Sequence, residues 1–341
     1  MEDKLYMLRA MELAKLGLGS VSPNPMVGCV IVHGNQIIGE GWHQKYGGPH
    51  AEVMAIGQVK NKALLPESTV FVSLEPCAHF GKTPPCADLL VNHLVKKVVI
   101  SNKDINPLVA GNGIQKLRNA GIEVQEDFLL KEGEEVNKRF FTFFKNKRPY
   151  IILKWAQTAD GFIARENYDS KWISSPLSRK LVHKWRSEED AIMIGTNTAK
   201  YDNPMLNVRD WSGKNPVRIV MDRHLKLAEN LHVFDRDQMT IVYNLMIDSK
   251  DKNLEYVKLS PNHFWENLFS DLHQRKIQSV IVEGGATILN ELIEGGMWDE
   301  ARVFVSQAIF GKGIVAPFIK GFERLETTIT GDKLYIYQRN N

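Results

Sequence analysis

The sequence predicts an α/β protein built of two consecutive domains, and three observations carry that expectation. With 341 residues the chain exceeds the roughly 100–200 that one domain usually takes. Short apolar runs of strand length alternate with helix-length amphipathic stretches in both halves, as expected of strands separated by helices. The two series meet at Lys147-Arg148-Pro149, where a basic, polar stretch ends in a proline and a new strand pattern begins. The domains expected are 1–146 and 147–341.

The elements follow in order. Leu5, Leu8, Met11, Leu13 and Leu16 recur at helical spacing, which predicts a helix from Asp3 to Leu18 that ends around Gly17-Leu18-Gly19. Val27 to Val32 and Gln36 to Gly41 read as a hairpin about His33-Gly34-Asn35, and Val70 to Leu74 and Lys97 to Ser101 as buried strands. Helical stretches cover Ala51 to Lys62 and Cys86 to His93, giving a first α/β sandwich. Phe140, Phe141 and Phe144 share one helical face, so the basic, aromatic segment before the junction reads as a packed helix rather than a nucleic-acid patch. Beyond the junction, strands are expected near Tyr150, Asp190 to Ile194, Val217 to Asp222, Thr240 to Tyr243, Ser279 to Glu283 and Ala301 to Ser306. Helices are expected near Ser178 to Ser187 and His263 to Arg275.

Composition bounds the function classes. Hydrophobic residues at 43% and charged residues at 24% are ordinary for a globular chain and argue against disordered, collagenous or membrane-embedded classes. Lys and Arg total 43 against 40 for Asp and Glu, too small an excess to mark a nucleic-acid binder. The charged start, Met1-Glu2-Asp3-Lys4, lacks a following apolar segment, and no run approaches the roughly 18 apolar residues of a membrane helix. A cytoplasmic protein without a membrane partner is expected. Three cysteines, Cys29, Cys77 and Cys86, make a disulfide framework implausible.

Two of those cysteines belong to a metal pattern. His50-Ala51-Glu52 opens a helix, Glu75-Pro76-Cys77 follows a strand, and Cys86 begins the next helix. One imidazole and two thiolates fill three corners of a zinc tetrahedron and leave the fourth for water, the arrangement of a catalytic site. Helix N-termini favour the negative charge that thiolates bring. Glu52, about 200° around the helix from His50, need not be a ligand and suits a proton shuttle. His-x-Glu followed by Pro-Cys and a further Cys is the signature of zinc deaminases acting on cytosine or adenine, with one departure: eight residues, rather than two, separate Cys77 from Cys86.

The longer string from Glu75 to Cys86 resembles that of the riboflavin-pathway pyrimidine deaminases, as do Ser22 to Gly28 and Gly41 to Glu52. The resemblance implies a cytidine-deaminase-like α/β/α sandwich. It also implies zinc on His50, Cys77 and Cys86, and substrate contacts from Asn24, His43, His79 and Lys82.

In the second half, Ser279 to Leu289 reads as strand, glycine turn and helix, where backbone N–H groups and the helix dipole would favour a phosphate. Gly284-Gly285 alone is a weak signal, and the Gly-x-Gly-x-x-Gly fingerprint is missing. Several blocks in one order resemble the riboflavin-pathway reductase domain: Lys154 to Gly161, Trp172 to Ser174, His183 to Arg186, Ala191 to Thr198, Asp202 to Arg209 and Val282 to Gly285. That resemblance implies a dihydrofolate-reductase-like α/β fold and NADPH. Ala156, Trp172, Thr198 and Asp202 would line the cofactor site, with Gly285, Ala286, Thr287, Ile288 and Leu289 near its phosphates. Ser170, Arg186, Leu206, Arg209 and Glu283 would face the substrate, the arginines meeting its phosphate through their planar forks. Lys154 and Asp202 are candidates for the proton donor.

Together the halves resemble the bacterial bifunctional deaminase–reductases of riboflavin biosynthesis. The expected substrate is a small phosphoribosylaminopyrimidine, deaminated and then reduced at its ribose, in a homo-oligomer without nucleic acid. Two other readings share the zinc pattern: a tRNA base deaminase fused to a binding domain, and a zinc-stabilised binding module with an inactive second half.

Overall fold

In the computed structural model, which describes residues 2–80, 84–106, 110–322 and 324–339, the chain separates into two compact units, Met1–Lys147 and Arg148–Asn341. The first unit begins with α1 (Glu2–Lys15), the hairpin β1 (Gly28–His33) and β2 (Gln36–Trp42), and α2 (Ala51–Gln58). There follow β3 (Thr69–Leu74), α3 (Cys86–Asn92), β4 (Lys97–Asn102), α4 (Asn112–Asn119), β5 (Glu123–Gln125), α5 (Leu130–Val136) and α6 (Lys138–Asn146). The sheet runs β2-β1-β3-β4-β5, with β1 antiparallel to both neighbours and β3, β4 and β5 parallel. At the hairpin, Gly34 (φ 51°) and Asn35 (φ 64°) both take the left-handed conformation that a two-residue turn needs to match strand twist.

Its central strands β1, β3 and β4 are buried at nearly every position because both faces are covered. Cys29, Ile31, Val70, Val72 and Ile100 pack with residues of α2, α3 and α4, while Val30, Val32, Phe71 and Val99 pack with α1 and Val136 of α5. Alternate residues of one strand thus serve opposite layers, and the result is an α/β/α sandwich.

The second unit contains β6 (Tyr150–Gln157), β7 (Phe162–Ala164), α7 (Pro176–Glu188), β8 (Ala191–Gly195), α8 (Thr196–Asp202), β9 (Val217–Met221) and β10 (Thr240–Asn244). It continues with β11 (Ser249–Asp251), β12 (Leu254–Lys258), α9 (Phe264–Gln274), β13 (Ser279–Val282) and α10 (Ala286–Glu294). β14 (Glu300–Val305), β15 (Ile314–Val315), β16 (Arg324–Ile329) and β17 (Asp332–Gln338) complete it. The ten-stranded sheet runs β11-β12-β10-β9-β8-β13-β6-β14-β17-β16. Strands β12 through β14 in that order are parallel, and antiparallel strands border them. Ile151, Leu153, Val280 and Val282 face one core, and Ile152 and Ile281 the other.

Several elements differ from the sequence expectation. α1 stops at Lys15, and the backbone of Leu16, Gly17 and Leu18 tightens into turns that bond three residues back. α2 ends at Gln58, because Val59 is extended and a separate 3-10 turn over Lys62–Glu67 starts at Asn61, whose side chain accepts from the Ala63 N–H. In α6, Phe143 is buried like Phe140 and Phe141, while Phe144 is half-buried. Short elements such as α8, β7, β11 and β15 have too few residues for periodicity to mark them.

Candidate active sites

In the first unit the ends of three elements converge. His50 is the extended N-cap residue of α2 (φ −76°, ψ 165°), Cys77 lies just past β3, and Cys86 is the first residue of α3 after Pro85. His50 Nδ1 lies 3.5 Å from Cys77 Sγ and 3.3 Å from Cys86 Sγ, and all three ligand atoms fall within 4.8 Å of one another. The Cys86 N–H donates to Cys77 Sγ at 3.3 Å. That donor set, led by the Cys86 thiol and joined by His50, draws the Cys77 thiol down to about 4 against its burial, while Cys86 is pushed up. Glu52 sits beside the trio at 3% exposure, and burial followed by the charge on Cys77 pushes its carboxyl up to about 7.

His43 is buried, and burial lowers its pKa, which favours the neutral ring. The Pro49 carbonyl, 3.0 Å from Nδ1, can only accept, which leaves Nε2 to accept from the Asn24 amide at 3.1 Å. The His43 ring stands edge-on to His50 at 5.3 Å. His79 is exposed on the loop after Cys77, and Lys82 lies outside the described residues.

Sequence reading missed what holds Cys77 in place. Glu75 is buried at the end of the same strand, and its carboxylate accepts backbone N–H groups from Asp104 (3.2 Å), Gly111 (3.0 Å), Gly113 (2.9 Å) and Ile114 (3.3 Å). A carboxylate at the start of α4 satisfies donors the helix leaves open and meets the favourable end of its dipole. No local pattern marks Glu75, since its partners lie 29 to 39 residues further on.

The second unit carries a cavity of about 910 Å³ at the C-terminal ends of β6, β8, β9 and β13, the usual ligand position in an α/β sheet. All the second-half residues expected at a site line it: Ala156, Ser170, Trp172, Arg186, Thr198, Asp202, Leu206, Arg209, Glu283 and the turn from Gly285 to Leu289. Ile288 and Leu289 line it only as part of the first turn of α10, because their side chains belong to the core. Gly284 (φ 154°) and Gly285 (φ 75°) form the turn ahead of α10; a Cβ on Gly284 would come within 3.0 Å of Thr198 Oγ1.

The arginine forks are arranged differently from expectation. Arg186 donates from Nε (2.7 Å) and Nη2 (2.8 Å) to the two oxygens of Glu283 and from Nη1 to Asn207 O at 3.2 Å, so its fork is already engaged. Arg209 is the more open cation, half exposed, with Nη1 donating to Asn207 Oδ1 at 3.3 Å and Nε 3.9 Å from the exposed Asp210 carboxylate. Lys154 Nζ is 3.5 Å from Glu283, and its burial lowers its pKa although Glu283 opposes this. Arg223, His224 and Lys226, just past β9, also line the cavity and were not marked by any motif.

Residues 149–331 match the family described as the RibD C-terminal domain, and residues 1–102 the cytidine and deoxycytidylate deaminase zinc-binding region. The riboflavin biosynthesis protein RibD of Aquifex aeolicus is 42% identical over 318 residues, covering 92% of this chain and 89% of that protein. The chain belongs to the RibD family. The RibD of Escherichia coli is 36% identical over 330 residues, 91% of this chain and 89% of its own length. The crystal structure of a Thermotoga maritima diaminohydroxyphosphoribosylaminopyrimidine deaminase/5-amino-6-(5-phosphoribosylamino)uracil reductase superposes with a TM-score of 0.89 at 38% identity, covering 99% of this chain and 98% of that one. Acinetobacter baumannii RibD follows at 0.88 and 34%, over 100% and 99% of the two chains. As a RibD, the chain is a bifunctional deaminase and reductase of riboflavin biosynthesis, with zinc and NADPH as cofactors. The second half matches a reductase rather than the binding domain that a tRNA deaminase would require.

Both cofactors fit the residues present. Zinc bonds of about 2.0–2.3 Å set tetrahedral edges near 3.6 Å, and the His50–Cys77 and His50–Cys86 separations of 3.5 and 3.3 Å approach that edge. For NADPH, a cavity of about 910 Å³ meets a glycine turn at a helix N-terminus. Among the described residues, no helix is long and apolar enough to cross a membrane.

Proposed function

We propose that residues 1–146 deaminate 2,5-diamino-6-(5-phosphoribosylamino)pyrimidin-4-one and that residues 147–341 reduce the resulting 5-amino-6-(5-phosphoribosylamino)uracil to its ribityl form. His50, Cys77 and Cys86 would hold zinc. Zinc, when bound, supplies Lewis acidity and an ionised water for attack on the amino-bearing carbon. Glu52 would take a proton from the attacking water and hand it to departing ammonia, a role suited to a buried carboxyl whose pKa burial has raised towards neutrality. Asn24 and His43, bonded to one another beside His50, bind the pyrimidine, with His79 and Lys82 reaching its polar groups.

In the second unit, Ala156, Trp172, Thr198 and Asp202 hold NADPH, with its phosphates at Gly285, Ala286 and Thr287 and the backbone turn through Ile288 and Leu289. NADPH supplies the hydride for the ribose carbon. Ser170, Arg186, Leu206, Arg209 and Glu283 hold the phosphoribosyl substrate, with Arg209 as the open cation for its phosphate. Lys154 carries the proton that the ribose oxygen takes as the ring opens, because its burial makes the charged ammonium readier to give one up; Asp202 is the other candidate. The partner is this small phosphorylated pyrimidine, without nucleic acid or membrane. The cytoplasm keeps the two ligating thiols reduced, and light scattering reads the expected homo-oligomer.

The observation that carries the reading is the His50–Cys77–Cys86 trio with Glu52 buried against it. Glu52→Ala is expected to abolish ammonia release while still oxidising NADPH when given the deaminated intermediate. Survival of both activities would overturn the assignment.

A further inference from the structure

The segment 165–172 supplies one wall of the reductase cavity through Tyr168, Ser170, Lys171 and Trp172, and α8 faces it with Thr198, Tyr201 and Asp202. The start of this segment is anchored away from α8: the Arg165 guanidinium lies over the Phe310 ring at 4.0 Å, and Glu166 pairs with Lys312 at 2.9 Å. Its later half is tied to α8 by two contacts. Ser170 Oγ donates to Asp202 Oδ1 at 3.1 Å, and the rings of Tyr168 and Tyr201 stack with centroids 4.3 Å apart and planes within 2°.

The stack is built rather than incidental. Tyr168 has φ 68°, a left-handed conformation that side chains other than glycine rarely adopt, and it is held by a closed turn. The Tyr168 N–H donates to Arg165 O and the Arg165 N–H to Asp169 O, each at 2.9 Å. Asn167 Oδ1 accepts from the Asp169 N–H and Asp169 Oδ1 from the Lys171 N–H. Both rings are partly exposed, Tyr168 at 36% and Tyr201 at 46%, which puts the pair at the cavity rim rather than in a core. Neither ring reaches a hydrophobic cluster, so the stack adds little to folding and acts on what lies next to it: Ser170 two residues along and Asp202 adjacent to Tyr201.

We propose that Tyr168 and Tyr201 are positioning residues for the reduction, an aromatic latch that holds the 165–172 strap against α8 so that Ser170 and Trp172 meet substrate and NADPH in one fixed arrangement. The inference rests on the placement of both ligands in this cavity. Offset or stacked aromatic pairs are each worth a few-fold to about tenfold in an equilibrium. Losing the latch lets the strap sample open positions, and ligands then bind only to the closed fraction.

The test uses the full chain. Tyr201→Ala removes one ring, and Tyr168→Gly removes the other while suiting the left-handed backbone, so it carries little risk of misfolding. Both are expected to raise KM for NADPH and for the deaminated intermediate by about twofold to fivefold, with kcat changed by less than about twofold. Tyr201→Phe and Tyr168→Phe, which keep the stack, should restore both constants, and ammonia release by the same preparations should match the parent chain. Unchanged KM in either ring-deletion variant, or Phe variants as impaired as the deletions, would overturn the latch. Trp172→Ala separates the two levels: if it too leaves KM for NADPH unaltered, the cavity assignment fails along with the latch, whereas a raised KM in Trp172→Ala alone rejects only the latch.

Discussion

At Glu283 burial and charge oppose one another, and charge wins. Burial alone would raise this carboxyl, but Arg186, bound through two oxygens, and Lys154 at 3.5 Å hold it at about 2 rather than 4.5. Asp202 and Asp210 act on the two cations from α8 and the following loop, and His183 lies near Arg186 on α7. A carboxyl whose folded pKa is depressed contributes stability that is present above the unfolded value and lost as pH falls through the folded one. Replacing Glu283 by Gln leaves two buried cations facing one another, a loss of about 3–5 kcal/mol at neutral pH, or about 10 °C in a unit of this size. Because a protonated Glu resembles Gln, the gap between parent and Glu283→Gln should narrow as pH falls from 4.5 towards 2. Urea midpoints of the reductase unit, followed across that range, check this. A gap that stays constant with pH would mean the carboxylate's charge contributes nothing.

One step up in scale, α7 shows how a helix is aimed at the cavity. Ser175 caps it and Pro176 occupies its first turn, where a missing N–H costs nothing. Asp332, buried at the start of β17, accepts from the Ser175 N–H at 2.7 Å and from Ser178 Oγ at 2.6 Å, so a distant strand fixes the helix start while Arg186 projects from its last turn. Asp332→Ala is expected to cost about 2–3 kcal/mol by leaving buried donors unpaired. It should also raise KM for the phosphoribosyl substrate more than it lowers kcat, with Asp332→Asn recovering part of both. An unaltered KM alongside lowered stability would limit Asp332 to folding. The same helix marks where sequence reading succeeds and stops. Its apolar face and most of its span show in the 3.6-residue period, and the cap is a local pattern, but Asp332 lies 157 residues from Ser175. Likewise His50, Cys77 and Cys86 stand out because zinc chemistry demands those residue types in that order. Glu75, which holds the Cys77 strand end, and Tyr168, which meets Tyr201, stay invisible because their partners are supplied by tertiary structure. Arg186 shows both limits at once: its presence in the site follows from its motif, and the engagement of its fork by Glu283 does not.

For the whole molecule, the division into two units bears directly on how the reactions can be separated. The His–Cys–Cys trio, Glu52 and the carboxylate of Glu75 all lie within Met1–Lys147, and every residue lining the reductase cavity lies within Arg148–Asn341. Each unit has its own sheet with its own apolar layers on both faces, so neither site borrows a core from the other. Removing the metal should therefore disable one reaction and spare the other. Treating the full chain with a chelator is expected to stop ammonia release from the diaminopyrimidine and to leave NADPH oxidation within about twofold when the deaminated intermediate is supplied. Adding zinc back should restore the first activity. The thermal profile gives a second readout: because a metal held only by the folded state adds its binding energy to the unit that holds it, chelation should lower the transition of the deaminase unit and leave that of the reductase unit in place. Loss of NADPH oxidation together with deamination, under conditions where zinc restores both, would show that the metal supports the second reaction as well. The two units would then be coupled despite their separate cores.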